Sequence, residues 1–286
     1  MGTQLLSRSQ VARSLFERAS NLLGYDLKEL CREGPDSKLN ATVYSQPALF
    51  VHSMACLAQW KEFQPESFTE VTASAGLSLG EYSALCASGS LSFDDGVRLV
   101  QQRGAAMQEA AESQASGMAS VLGLAQEQVQ QVCDQARRPG EILQVANLLC
   151  PGNIAISGHQ ASLEAAESLA EKAGAMKFVR LSVAGAFHTT IMHAAVDRLT
   201  AAIRATHLSP PAFPVVCNVD AQPHVSPDDF RSLLPQQVVS PVLWEGSLRN
   251  LLAMGIDKFY EVGAGKVLAG TLKRIDRKIS CENIGD

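Results

Sequence analysis

The sequence contains no hydrophobic run near the ~18 consecutive apolar residues that a membrane-spanning helix requires, so no membrane partner is expected. It also lacks a Cys-x-x-Cys pair. Its seven cysteines, Cys31, Cys56, Cys86, Cys133, Cys150, Cys217 and Cys281, are odd in number and widely spaced. That pattern argues against a disulfide framework or a zinc site and fits a reducing, cytoplasmic compartment. Basic residues are not in excess: 24 Lys and Arg stand against 29 Asp and Glu, for a net charge of −5. A nucleic-acid-seeking surface is not supported, and any anion site must be local. The first twenty residues lack the layout of a signal peptide and read as an amphipathic helix. Position 6 is Leu6, so the myristoylation pattern fails as well.

The 286 residues include 46% hydrophobic residues, enough to build one large α/β domain or two subdomains. Apolar spacing predicts a helix over 4–23, stopped by Gly24, and a second over 46–61. A short strand, Val71 to Ala75, is expected next, then a helix reaching Ala87 with Gly89 as its stop, and a long helix over 94–114. The middle third predicts strand 117–123, helix 126–137, strands 142–147 and 153–157, helix 160–173 and strand 176–183. Strand, helix, strand, strand, helix, strand is the βαββαβ order of a ferredoxin-like module. The expected architecture is therefore a discontinuous α/β-hydrolase-like subdomain with a parallel sheet, residues 1–116 and 187–286. Residues 117–186 form the inserted ferredoxin-like subdomain. A late strand at 259–262 and a basic helix at 267–277 complete it.

Residues 76–80 read Gly-Leu-Ser-Leu-Gly between a predicted strand and a predicted helix. In that context a sharp turn lifts the Ser78 hydroxyl clear of the backbone. Glycines at 76 and 80 would remove side chains that clash there. The Leu79 amide, at the helix start, has no intrahelical partner and can donate to an oxyanion. The same pattern also describes a turn merely capped by a serine. A serine hydroxyl needs a neighbouring base. Of six histidines, His188 in Gly-Ala-Phe-His-Thr follows a predicted strand, at the sheet end where ligands gather. His193 falls inside the next helix. Taken alone, His188 could equally be structural. No acid between Ser78 and His188 has a triad-like setting; Asp94, Asp95, Glu109 and Asp134 fall in predicted helices.

Five segments in order, GLSLGEYSAL (76–85), QQRGAAMQEA (101–110), GAFHT (185–189), QQVVSPVLW (236–244) and YEVGAGKVL (260–268), resemble the malonyl-CoA:acyl carrier protein transacylase family. Acyltransferase domains of polyketide synthases look similar. The resemblance covers nearly the whole chain. It implies a Ser78–His188 dyad whose imidazole is oriented by the backbone carbonyl of Gln237, which accounts for the missing aspartate. It implies that Arg103 grips the free carboxylate of malonate, that Met107 lines the same pocket, and that Asn147 lies near the active site. A guanidinium fork pairs with a carboxylate by two charge-assisted hydrogen bonds. An acetyl group would leave Arg103 buried and unpaired. The implied reaction is ping-pong transfer from malonyl-CoA to the phosphopantetheine thiol of acyl carrier protein, by a monomer, with no metal or bound cofactor. Phe187 before His188 resembles the malonyl-selective form.

The sequence departs from the family at its start. Members open with a β-strand and a Pro-Gly-Gln-Gly loop whose glutamine supplies a second oxyanion N–H; this chain opens at Met1-Gly2-Thr3, which resembles the segment just after that loop. Met1 as an internal methionine is the expectation. Loss of one such donor costs about 10²–10³ in rate. Two other readings stay open: a serine hydrolase such as a thioesterase, and an inactive scaffold that binds carrier protein.

Overall fold

The computed structural model describes residues 1–285. It is a mixed α/β protein in which the predicted helices and strands recur in order, interspersed with elements the sequence reading did not give, among them Val215–Val216, Pro223–His224 and Ser280–Ile284. The first predicted helix is two, Thr3–Arg8 and Gln10–Leu23, because Ser9 turns extended and its side chain caps the second by accepting from the Ala12 amide. Gly24 ends that helix in the left-handed conformation. The helix Thr42–Phe63 is longer than its apolar stretch suggests and is buried around most of its circumference.

Helix Phe93–Glu112 starts on the Ser92 cap, with Asp94 and Asp95 in its first turn where the helix dipole favours anions. It packs along Thr42–Phe63 at very short range. A side chain at Gly104 would put its Cβ 2.8 Å from the Thr42 carbonyl oxygen, so only glycine permits this approach. The approach brings the neighbouring Arg103 into the protein interior.

The strand expected over 71–75 is cut to Ser74–Ala75 (β1). It pairs in parallel with Val215–Val216 (β6), which pairs antiparallel with Pro223–His224 (β7). The late strand Lys258–Val262 (β8) pairs in parallel with Ser280–Ile284 (β9). Among the described residues these are two separate sheets, which corrects the expectation of one parallel sheet. A cavity of about 960 Å³, walled by residues such as Val71, Trp60, Leu248 and Phe259, lies between β1 and β8.

The middle third holds Ser116–Leu122 (β2), Leu143–Cys150 (β3), Asn153–His159 (β4) and Lys177–Arg180 (β5) in the antiparallel order β3-β4-β2-β5. Helices Gln126–Ala136 and Gln160–Lys172 pack their apolar stripes on it through Val129, Val132, Leu163 and Ala166, forming a core of their own. Segment 242–243 connects this sheet to the larger part. Val242 exchanges backbone bonds with Ala146 and Leu148, and the Leu243 amide donates to the Asn218 carbonyl.

Candidate active site

β1 ends one residue before the turn that carries Ser78. Gly76 is sterically required there: a Cβ at 76 would stand 2.0 Å from the Gly80 carbonyl carbon. Gly80 is not, since a Cβ there would meet nothing within 4 Å; the expectation that both glycines avoid a clash holds only for the first. Ser78 itself has φ 51°, a left-handed conformation that costs a non-glycine residue about 1 kcal/mol or more. Its backbone is held in that state from outside the turn. The Ser78 amide donates to Asn218 Oδ1 at 2.6 Å, and Asn218 Nδ2 donates to the Gly76 carbonyl at 2.8 Å. Helix Gly80–Ala87 follows, and the Leu79 N–H has no acceptor among the described residues.

β5 stops at Arg180, short of the predicted 183, so His188 stands in a loop and not at a strand end. The loop is anchored by the Ala186 amide on Ser116 Oγ and by Thr189 Oγ1 on the Ala186 carbonyl. His188 also adopts a positive φ, 62°, and is 4% exposed. Its Nε2 lies 2.9 Å from Ser78 Oγ, and its Nδ1 lies 2.8 Å from the Gln237 backbone carbonyl. A carbonyl only accepts, so Nδ1 carries the proton and Nε2 offers its lone pair to the serine hydroxyl. Burial, assisted by the positive charge of Arg103, lowers the His188 pKa to about 4 against the pull of the Gln237 carbonyl. The imidazole is neutral near pH 7, as a base must be. His193 heads the next helix on the exposed surface.

Arg103 is 1% exposed. Nη1 donates to Gln46 Oε1 at 2.7 Å; Nη2 donates to Ser78 Oγ at 3.0 Å and to Gln237 Oε1 at 2.9 Å. The Tyr82 ring lies 5.4 Å from the guanidinium carbon. Among the described residues no carboxylate lies within ion-pairing distance of Arg103, and its Nε has no partner. Burial pulls the guanidinium below its usual pKa, yet arginine stays charged at neutral pH. A buried cation that faces a nucleophile and touches no carboxylate is suited to an acyl group that carries its own negative charge.

Ser78, His188, Arg103 and Gln237 thus converge. Met107 is buried one turn beyond Arg103 and shares Gln46 with it, taking an N–H···S bond from Gln46 Nε2 at 3.5 Å. Asn147 is not joined to the cluster by any hydrogen bond among the described residues. It sits on β3 at the bridge to Val242, and its Oδ1 is buried without a partner. Sequence reasoning missed Gln46, Asn218 and the buried Glu81. Glu81 carried a signal: the only charged residue in a short helix otherwise made of Gly, Tyr, Ser, Ala, Leu and Cys. The large cavity reaches the turn at Gly76, Leu77, Leu79 and Gly80, behind the hydroxyl and away from His188 and Arg103.

The sequence pattern of the acyl transferase domain matches residues 1–282. This chain belongs to that family. A malonyl CoA-acyl carrier protein transacylase of Bacillus subtilis is 38% identical over 288 residues, 100% of this chain and 89% of the relative. The mitochondrial malonyl-CoA-acyl carrier protein transacylase of Mus musculus is 39% identical over 292 residues, 97% of this chain and 76% of the relative. Among solved structures, the malonyl CoA-acyl carrier protein transacylase of Coxiella burnetii superposes with a TM-score of 0.94 at 34% identity, over 99% of this chain and 89% of that one. A malonyl-transacylase solved in complex with a type II polyketide synthase acyl-carrier protein gives 0.95 at 34% identity, over 100% and 91%. In this acyl transferase domain no helix of the described residues is long and apolar enough to cross a membrane.

Proposed function

We propose that this protein transfers a malonyl group from malonyl-CoA to the phosphopantetheine thiol of acyl carrier protein through a malonyl ester on Ser78. One observation carries the reading: the Ser78 hydroxyl lies 2.9 Å from a neutral imidazole and 3.0 Å from a buried guanidinium with no carboxylate in direct contact among the described residues. His188 Nε2 takes the hydroxyl proton as Ser78 Oγ attacks the thioester carbonyl. The Leu79 amide donates to the oxyanion. The tetrahedral intermediate collapses, the thiol of coenzyme A leaves with the proton from His188, and malonyl-Ser78 remains. The carrier thiol then attacks the ester carbonyl, losing its proton to His188, and Ser78 leaves with that proton. Arg103 gives up its bond to Ser78 Oγ for the malonyl carboxylate in both halves and keeps its bond to Gln237. Met107, beside it through Gln46, and Asn147, with its unpartnered Oδ1, belong to the pocket wall. Phe187, packed beside Met118 and Ala146, favours malonyl over its methylated analogue.

Residues 117–186 are an inserted ferredoxin-like unit within a larger catalytic one, a division supported by the separate core of the four-stranded sheet. The four site groups come from one chain, which supports a working monomer. The odd number and wide spacing of the cysteines support a cytoplasmic location. The test is incubation with malonyl-CoA, acetyl-CoA and methylmalonyl-CoA, followed by intact mass measurement. A malonyl adduct that is absent from Ser78→Ala and discharged by holo carrier protein supports transfer. Free malonate released without carrier protein identifies a hydrolase instead.

A further inference from the structure

Glu81 is fully buried in the first turn of helix Gly80–Ala87. No cation lies within ion-pairing distance of it among the described residues. A carboxylate in such a place is costly unless its bonds serve something. Its Oε2 accepts from Gln237 Nε2 at 2.7 Å and from the Asn218 amide at 3.0 Å, while Oε1 has no partner. Both partners lead to the reacting groups. Asn218 holds the Ser78 amide and the Gly76 carbonyl. Gln237 offers its backbone carbonyl to His188 Nδ1 and its side-chain Oε1 to Arg103 Nη2.

The Gln237 amide could lie in either of two orientations. A carboxylate accepts only, so an ionised Glu81 admits only the NH₂ group and turns the amide oxygen toward Arg103. Reversal would set oxygen against carboxylate and NH₂ against guanidinium. We propose that Glu81 is a positioning residue for the acyl transfer: through Gln237 it aims Arg103 at the substrate carboxylate, and through Asn218 it holds the strained backbone of Ser78. The proposal rests on the malonyl-transfer reading above. The Ser78 carbonyl accepts from the same NH₂ group at 3.0 Å and favours the same orientation; when Glu81 is neutral its own O–H can donate to a reversed amide oxygen, so the hold on that orientation weakens and Arg103 meets an NH₂ group in part of the population.

The charged and titratable groups around Glu81 are Arg103 on helix Phe93–Glu112, the Cys217 thiol at the end of β6, and Tyr82 beside it. Burial raises the Glu81 pKa to about 7, against the bonds from Gln237 and Asn218 and the charge of Arg103. His188, near 4, leaves the intervening pH range free.

The experiment measures single-turnover acylation of Ser78 by malonyl-CoA and by acetyl-CoA in the wild type and in Glu81→Gln, between about pH 5.5 and 8.5. In the wild type, malonyl transfer falls as the pH drops through about 7. In Glu81→Gln that limb disappears and the malonyl:acetyl ratio drops about tenfold, on top of any loss common to both acyl groups through Ser78, whereas a merely structural loss lowers both together and leaves the ratio unchanged. A folded variant whose ratio stays within about twofold of the wild type overturns the proposal. So does a wild-type malonyl profile that is flat over the whole range, and this second measurement decides if the variant does not fold. Absence of any malonyl-Ser78 in the wild type removes the functional reading and the proposal with it; normal wild-type acylation with an unaffected variant removes the proposal alone.

Discussion

Replacing Arg103 by alanine separates the two jobs the guanidinium performs. In the free protein Nη1 is committed to Gln46, and Nη2 is shared by Ser78 Oγ and Gln237 Oε1. A malonyl carboxylate gains two charge-assisted bonds, each worth about 1.5–3 kcal/mol, but displaces the Nη2 contact with Ser78 already in place. The net is about 3 kcal/mol, or about 10²-fold in kcat/KM. Acetyl-CoA brings no carboxylate, so it leaves the guanidinium on the hydroxyl. The substitution frees that hydroxyl, and acetyl transfer stays within about threefold or rises. The malonyl:acetyl ratio therefore falls by about 10². Arg103→Lys keeps the charge without the fork and lands between the two. The assay is competition between the two thioesters at equal concentration, with the Ser78 adducts weighed by intact mass and the fold checked by thermal melting. A folded Arg103→Ala protein that keeps the wild-type ratio refutes the assignment of Arg103 to the substrate carboxylate.

Gln237→Ala spares the backbone carbonyl that orients His188 and removes the side chain on Arg103, so it lowers the malonyl:acetyl ratio; it also removes the bond to the Ser78 carbonyl, so acetyl transfer falls too, but by less, which steady-state kinetics with both donors checks. Gly76→Ala abolishes folding or activity, because its Cβ would overlap the Gly80 backbone, whereas Gly80→Ala leaves the melting temperature within a few degrees of wild type, about 1 kcal/mol at most. Stability should depend on pH with two opposing slopes. The His188 pKa is depressed from 6.5 to about 4, so its contribution is present above pH 6.5 and is lost as the pH falls through 4. The Glu81 pKa is raised from 4.5 to about 7, so its contribution is present below pH 4.5 and is lost as the pH rises through 7. Glu81→Gln removes the second slope and melts higher relative to wild type at about pH 8 than at about pH 5, by up to about 3 kcal/mol; an equal difference at both would show that Glu81 does not titrate this way.

What could be read from the sequence, and what could not, divides along a physical line. Ser78 and His188 stand in short segments with a recognisable local pattern, and Gly24 marked a helix end; Arg103 and Gln237 were reached only through the family resemblance. Local chemistry dictates the first group, so a linear reading reaches them. Asn218, Glu81 and Gln46 act through hydrogen bonds that span 57 to 156 residues of sequence, and no spacing rule reports which amide a buried carboxylate will find. The split of the sheet was hidden for the same reason: strand pairing depends on what stands beside β1 and β8, and that is decided in three dimensions.

The residues missed by sequence are also the ones that make the legible ones work. Ser78 and His188 both hold left-handed backbone conformations that their own sequences do not favour, and neither is glycine. Such strain persists only where surrounding bonds over-determine it. At Ser78 those bonds come from Asn218, itself held by Glu81; at His188 they come from Ser116, Thr189 and the Gln237 carbonyl. A hydroxyl, an imidazole and a guanidinium brought within 3.0 Å of one oxygen are therefore a property of that outer network as much as of the motifs that announce them. Substitutions at Glu81 and Asn218 should accordingly be felt at Ser78 without touching substrate.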